Sequence, residues 1–576
     1  MSELSFTTIN IIVLTKVILF IFVFLLLFLI YKKNNKPWCY LLLITIVIFV
    51  FYLVFSYPLK KMLWGNSGDE TYIFTFLKQV MAGNYFSDFY YGWLPPFYPP
   101  LYFWITGTIA HFFTNNGIVA AKIGVLGTVV IFFIGSYLWQ KFFYQKINQN
   151  NYESEDNLDS FHKSPWFWML LPCIFFILLD FDIFIFKPYE VVTALFSVIF
   201  VGFLYLNFFS KKWHPKFFLF SIISGGILFL TYYFWWFILI PVILFLIYLS
   251  SDKIKNLKRI IITGIGIFIL SSIFLIPLLL SLLRGGIENG QAGFFIPQDL
   301  STYVPWITTS FWGSSFFIFG IFGLIKFSSQ KLVKSSLYIF IMCYLYQFIN
   351  LIYFLIYHKT FLAAKSFPIL SAACLSIGAA YLINYLYNIT IKKYRQMDRM
   401  ILILVIIIIS ILPLVKFIDD PIVRAQIDKD LIPNRNSYLV EIIKNITDYN
   451  KKIWLSGSVG DLSAFLSLSY YVSYSQHFSH PAAFYSKRII FIKQLANTSN
   501  GDEFYQLIVQ QSQPLITGLI LYKNNSDLNN YYLYFNVDNF PNGVKELIIK
   551  FNKDLVSEKY WQKEYEDSRI TIFTLK

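Results

Sequence analysis

Apolar runs of nearly span length recur along most of the chain, separated by short polar segments. Val17 to Ile30, Leu41 to Phe55 and Ile401 to Leu412 are the clearest cores of such runs. Each belongs to a stretch close to the ~20 residues that cross the hydrocarbon core as a helix. Transmembrane strands would alternate in polarity, and these runs do not. The pattern predicts a polytopic α-helical membrane protein with about twelve spans, near 9–31, 37–57, 117–139, 165–180, 190–209, 216–231, 233–249, 260–282, 306–326, 337–357, 367–387 and 400–417. The first span ends in Tyr31-Lys32-Lys33 without a small-residue cleavage site, so it is expected to stay as an anchor.

After Pro421 the pattern changes. Short β-like stretches (Lys452 to Leu455, Pro514 to Tyr522, Tyr531 to Phe535, Arg569 to Leu575) alternate with helical candidates such as Tyr485 to Ala496 and Val544 to Lys550. About 150 residues suffice for a folded domain. The expected organisation is therefore a membrane part, 1–420, followed by a small α/β domain, 421–576. No internal repeat is visible.

Composition and charge sharpen this picture. The 576 residues are 57% hydrophobic and only 14% charged, against roughly 25% charged in a soluble domain. The net charge of +15 does not point to nucleic acid, because most of the basic residues sit in short loops between apolar runs. Lys32, Lys33 and Lys36, then Lys253, Lys255, Lys258 and Arg259, then Lys392, Lys393, Arg395 and Arg399 are examples. Such loops are expected on the cytoplasmic side. The alternation requires Phe97 to Phe113 to be an interfacial helix, with Pro99 and Pro100 in its first turn, and places the 421–576 domain outside the cytoplasm. The Asn- and acid-rich segment Asn148 to Ser160 is expected to be a mobile cytoplasmic loop. Cys39, Cys173, Cys343 and Cys374 lie in or beside apolar spans without CxxC spacing, so buried thiols are expected and no metal site is indicated.

The outer segments gather ionisable groups. The first outer loop, 58–116, carries Asp69, Glu70 and Asp88. Later segments carry Asp180, Asp182, Lys187 and Glu190, then Arg284 and Glu288, then His358, Lys359 and Lys365. Ionisable groups at membrane edges are costly and usually have a use. An acid in Gly68-Asp69-Glu70 can act as general base towards an acceptor hydroxyl. One base suffices for inverting sugar transfer if the leaving phosphate needs no separate acid. Lys187, Arg284 and Lys365 can grip that phosphate and stabilise the departing charge; Lys359 and His358 are further candidates. Tyr98 and its aromatic neighbours suit sugar stacking. Each group also has a plainer reading. Asp-Glu is a common helix-start preference, interfacial aromatics anchor, lysines snorkel, and Asp180 or Asp182 can cap a helix or pair with Lys187.

The residues alone imply an outward-facing polar site in a polytopic protein. An acidic first outer loop followed by an interfacial helix opening on tandem prolines resembles the GT-C class of glycosyltransferases, polytopic enzymes that use polyprenyl-phosphate sugars. The closer resemblance is to the galactan arabinofuranosyltransferase family of actinobacterial cell-wall synthesis. It is carried by "GDETYIFTFLKQVMAGNYFSDFYYGWLPPFYPPLYFW", by "KPYEVVTALF" from Lys187, and by "QHFSHPAAFYSKRIIFIKQLA" from Gln476 with the later "PLITGLILYK" and "VDNFP". The resemblance implies a decaprenyl-phosphoryl-arabinofuranose or similar lipid-linked pentose as donor and a cell-envelope polysaccharide as acceptor. It implies Asp69 as base, Lys187, Tyr189 and Glu190 near the donor, and His477, His480 and Arg488 holding the acceptor glycan. No cofactor is implied. A transferase for another lipid-linked sugar, such as mannose or an aminosugar, shares the first-loop acid. A transporter or flippase of envelope precursors would instead show polar or broken helices near the bilayer midplane. A structural scaffold is disfavoured by the converging ionisable groups.

Overall fold

The computed structural model describes the chain except residues 1–3, 33–35, 64–68, 140–164, 180, 210–212, 214, 289–310, 361–362, 394–397, 434–436, 458–459 and 540–541. The segment 148–160 and Asp180 thus lie outside the described residues, as does the side chain of Lys365 within the Ala363–Lys393 helix.

Among the described residues, each predicted span overlaps a helix. Among the described residues, seven helices are long and apolar enough to cross a membrane, or eight if one bent pair counts as a single span, so the chain is a multi-pass membrane protein. Two further predicted spans, near 165–180 and 306–326, correspond to shorter apolar helices, Phe167–Leu178 and Gly313–Lys326. The bent pair, Pro215–Thr231 and Tyr233–Tyr248, turns through 109°. The bend falls at Tyr232, whose extended backbone starts a short turn. Trp235 in that turn donates its indole N–H to Thr193 Oγ1 at 3.0 Å, which fixes the corner against the Pro188–Phe208 helix.

The helix expected to lie in the interface runs from Leu101 to His111; Pro100 is its cap, so the tandem prolines precede its first turn and do not lie within it. Eleven residues are too short to span. Proline suits a helix start because it lacks the N–H that would go unbonded there.

The C-terminal part holds a seven-stranded mixed sheet. Its strands are β1 (Ile453–Ser456), β2 (Ser469–Tyr470), β3 (Gly518–Asn524), β4 (Asp527–Asp538), β5 (Val544–Asn552), β6 (Trp561–Glu566) and β7 (Ile570–Leu575). Strand β1 runs parallel to β2 and β3, and the remaining pairs are antiparallel. The Tyr485–Ala496 helix forms where its sequence predicts. Val544 to Lys550 does not form a helix; it lies in β5, paired with β4 from Val544↔Asp538 to Asn552↔Asn530. Ile549 and Phe551 turn inward while Ile548, Lys550 and Asn552 face out, a period of two that only a strand satisfies.

The start of the chain and the sheet share one end of the helix bundle. Ser5 donates its backbone N–H to Asp428 at 3.2 Å, and Thr8 donates its hydroxyl to the same carboxylate. Lys16 pairs with Asp419 at 2.8 Å. Gly285, which ends the Lys253–Gly285 helix, packs on Ala482. The basic Lys253–Arg259 segment therefore sits at the far end of that 33-residue helix from the sheet.

Candidate active site

The site forms where three distant stretches meet at the sheet end of the bundle. Asp69 and Glu70 open the Asp69–Met81 helix, where carboxylates complement the unbonded N–H groups. Lys187 caps the Pro188–Phe208 helix, with Tyr189 and Glu190 in its first turn. His477 comes from the short Gln476–Phe478 turn before the sheet's main strands.

Lys187 Nζ lies 3.2 Å from Asp69 Oδ2 and 4.0 Å from Glu190 Oε2. His477 Nε2 lies 4.0 Å from Asp69 Oδ1. Glu190 and His477 are only 1% and 5% exposed. Burial alone would pull the lysine down, but the charges of Glu190 and Asp69 outweigh it and hold the ammonium well above its ordinary value. Hydroxyls surround the charges. Tyr72 and Tyr189 share a short O–H···O contact, and Tyr189 reaches Glu190 Oε1 at 3.5 Å. The Tyr98 ring lies tilted 4.8 Å from that of Tyr72, and the Tyr232 ring 5.8 Å from that of Tyr189. Burial raises the Tyr98 phenol well above its usual range, with Glu190 and Asp69 adding to the shift, so these phenols stay protonated donors. Among the described residues no group of three His, Cys, Asp or Glu side chains could hold a metal ion.

The approach of the first loop is held by a buried cation. Lys122 Nζ donates to Ser56 O at 2.8 Å and Leu59 O at 2.7 Å, closing the carbonyl end of the Pro37–Ser56 helix. This fixes where the chain leaves that span before Asp69.

An apolar groove of about 300 Å³ lies along the membrane part of the bundle. Trp236, Ile240, Phe200, Gly264 and Phe268 help line it. Trp236 lies four residues beyond Tyr232 at the bend, while Phe200 lies deeper along the helix that Glu190 begins. Ile240 and Phe268 are exposed on the bundle's outer surface, so the groove opens towards lipid.

Other predicted residues are placed differently. Glu70 is buried, with its charge acting on Tyr52 of the second span. Asp88 is fully buried and accepts N–H bonds from Tyr90 at 3.0 Å and Tyr91 at 2.9 Å. It orders the loop and is not open to a ligand. Burial pushes its carboxyl up to about 7 against the pull of four backbone N–H groups. His480 is buried edge-on against Phe97, and its Nδ1 accepts the Ala482 N–H at 3.0 Å. Burial lowers this imidazole to about 4, so it caps a turn as a neutral ring. Arg488 donates to Ala483 O at 2.6 Å and Gln513 O at 2.9 Å, over the rings of Trp93 and Tyr471. These contacts make it a brace for the outer part. Asp182 starts the short Phe181–Phe186 helix, at the opposite end from Lys187. Arg284 is exposed in the last turn of its helix, and His358 is an exposed left-handed cap at the end of Lys331–Tyr357. Neither touches the Asp69 cluster. Tyr72 and Tyr232 are absent from the sequence reading. Tyr72 follows Asp69 by three residues, the spacing that shares a helix face. Tyr232 sits in the gap between two predicted spans, where unwound backbone is tolerated only against protein or a cavity.

No protein-family model and no curated protein matches the chain. Among solved structures the chain is similar to the crystal structure of ArnT from Cupriavidus metallidurans in the apo state, with a TM-score of 0.47 and 11% identity, over 92% of this chain and 97% of that one.

Proposed function

We propose that this protein is an inverting, integral-membrane glycosyltransferase that moves an arabinofuranosyl or similar pentosyl residue from a polyprenyl phosphate to a cell-envelope polysaccharide. The observation that carries the reading is the Asp69–Lys187–Glu190 cluster, sheltered by His477 and four tyrosines, in a bundle that also carries an apolar groove open to lipid. The groove suits an isoprenoid tail and the cluster its phosphate sugar. The basic segment at the far end of the bundle supports an extracytoplasmic position for residues 421–576.

In this reading Asp69 is the base. The acceptor hydroxyl oxygen attacks the sugar's anomeric carbon, the bond from that carbon to the phosphate oxygen breaks, and the bonding pair leaves with the phosphate. The acceptor's proton passes to Asp69. Lys187 has three N–H donors, and its ammonium lies 3.2 Å from Asp69 and 4.0 Å from Glu190. An incoming phosphate draws the ammonium towards itself, which loosens its hold on Asp69 and raises that carboxylate's proton affinity as the acceptor arrives. Tyr72, Tyr98, Tyr189 and Tyr232 offer hydroxyls to the pentose. His477 approaches from the acceptor side. Arg284 at the rim serves long-range attraction of the anionic donor, and Lys365 remains a proposed phosphate ligand.

Incubating the purified protein with a panel of prenyl-phosphate pentoses, hexoses and aminosugars tests the reading through release of prenyl phosphate. Acceptor-dependent release from a pentose donor supports it; release only from mannose or an aminosugar moves the donor specificity. The 109° break at Tyr232 is the one observation favouring a transporter. That reading requires donor to cross vesicles intact, without release of prenyl phosphate.

A further inference from the structure

A second polar cleft lies at the opposite end of the helix that Asp69 begins. It has a volume of about 550 Å³ and sits where the carboxyl end of Asp69–Met81 meets the Thr114–Asn116 turn and the Leu439–Lys444 helix. Lys78 enters from the first element and Lys444 from the last, with Asn115, Ser437, Tyr449 and Glu441 around them.

Two cations converge here against one acid. Lys78 Nζ donates to Asn115 O at 2.9 Å, which leaves two of its three N–H donors for a ligand. Lys444 pairs with Glu441 at 2.8 Å, three residues away on an exposed helix face. Such exposed pairs contribute little and exchange readily for a better partner. Burial first and then the nearby charge of Lys444 lower the Lys78 ammonium. The other groups suit a sugar: the Tyr449 ring offers a stacking face, and Asn115 and Ser437 offer polar groups for hydroxyls. The cleft lies about 14 Å along the helix from Asp69, at 1.5 Å per residue, on the same end of the bundle.

We propose that this cleft is a binding subsite for a charged unit of the acceptor glycan, a polyol carrying a phosphate or a carboxylate, held between Lys78 and Lys444. The inference rests on the transferase reading for the word acceptor. A glycan bridging the cleft and Asp69 would be gripped several units from its reacting end, so binding energy remote from the chemistry would position the terminal hydroxyl.

The test is direct binding to the full-length protein in neutral nanodiscs, carrying Asp69→Asn so that turnover plays no part. The probes are tri-galacturonate, a glycerol-phosphate trimer and neutral maltotriose. One or both charged probes should bind more tightly than maltotriose, with affinity falling as salt rises. Lys78→Gln with Lys444→Gln should weaken that binding by about tenfold or more, as expected for lost charge-assisted hydrogen bonds. Glu441→Gln, an exposed change that does not threaten folding, should strengthen it. Equal affinity in all variants, no preference for charge, or binding only to phosphatidylglycerol vesicles would overturn the proposal, the last by assigning the cleft to lipid headgroups. Failure of the donor panel with intact charged-saccharide binding would instead remove the transferase reading and leave the subsite.

Discussion

Lys187 holds Asp69 and Glu190 together, its ammonium 3.2 Å from one carboxylate and 4.0 Å from the other. The pair joins a juxtamembrane helix to the start of a membrane span. Lys187→Met would leave two sheltered carboxylates without their cation, at a cost of about 3–5 kcal/mol. The sign of the pH dependence distinguishes this from simple loss of packing. In the native protein the lysine is raised above 10.5, so its contribution is fully present below pH 10.5 and lost as pH rises through the folded value. In the variant the carboxylates prefer their neutral forms, so its thermal midpoint should recover as pH falls towards the carboxylate range. A midpoint as high as the native one at pH 7 would count against the ion-pair role.

Gly264 lines the apolar groove, and a Cβ there meets nothing within 4 Å. Gly264→Leu should fold and partly fill the groove. Displacing two isoprenoid methylenes costs about 1.6 kcal/mol, so kcat/KM for a long-chain donor should fall by about tenfold. A short, water-soluble prenyl donor should be unaffected. Equal loss for both donors would remove the groove from the tail's path.

His477 brings the C-terminal part to the membrane site. His477→Gln should lower kcat/KM for the acceptor by roughly tenfold to a hundredfold, the scale of a lost hydrogen bond to a charged or polar partner. Donor binding, measured by titration, should not change. A matching loss in donor affinity would place the histidine on the donor side.

Asp88 provides a test of structure independent of catalysis. Its carboxyl is raised from 3.8 to about 7. The native fold therefore gains from the protonated form, a gain present below pH 3.8 and lost as pH rises through about 7. Asp88→Asn keeps an acceptor for the Tyr90 and Tyr91 N–H groups without the charge. Its thermal midpoint should be less pH-dependent between pH 4 and 7, and its stability at pH 8 should equal or exceed the native one, by up to about 4 kcal/mol. A variant much less stable at pH 8 would show that the charge itself is required.

The membrane helices were legible because apolar run length reports directly on a span. The pieces around Asp69 and Lys187 stood out because charged residues at span ends are rare and chemically distinct. Their union was not legible, because no local pattern says that Lys187 reaches Asp69 or that His477 folds back onto the bundle. Asp88, His480 and Arg488 have the same side-chain chemistry as site residues, and only their burial and backbone partners show them bracing loops. Tyr72 and Tyr232 were hidden among so many aromatics that no single one carried a signal. Val544 to Lys550 reads as a helix by composition and becomes a strand because β4 offers it a nine-residue partner.

The most direct measurement is turnover by Asp69→Asn in nanodiscs, alongside its affinity for the lipid-linked donor. If the carboxylate takes the acceptor's proton, transfer should fall by at least a hundredfold, while the donor still binds because Lys187 and the groove remain. Transfer at the native rate in a folded Asp69→Asn protein would contradict the account.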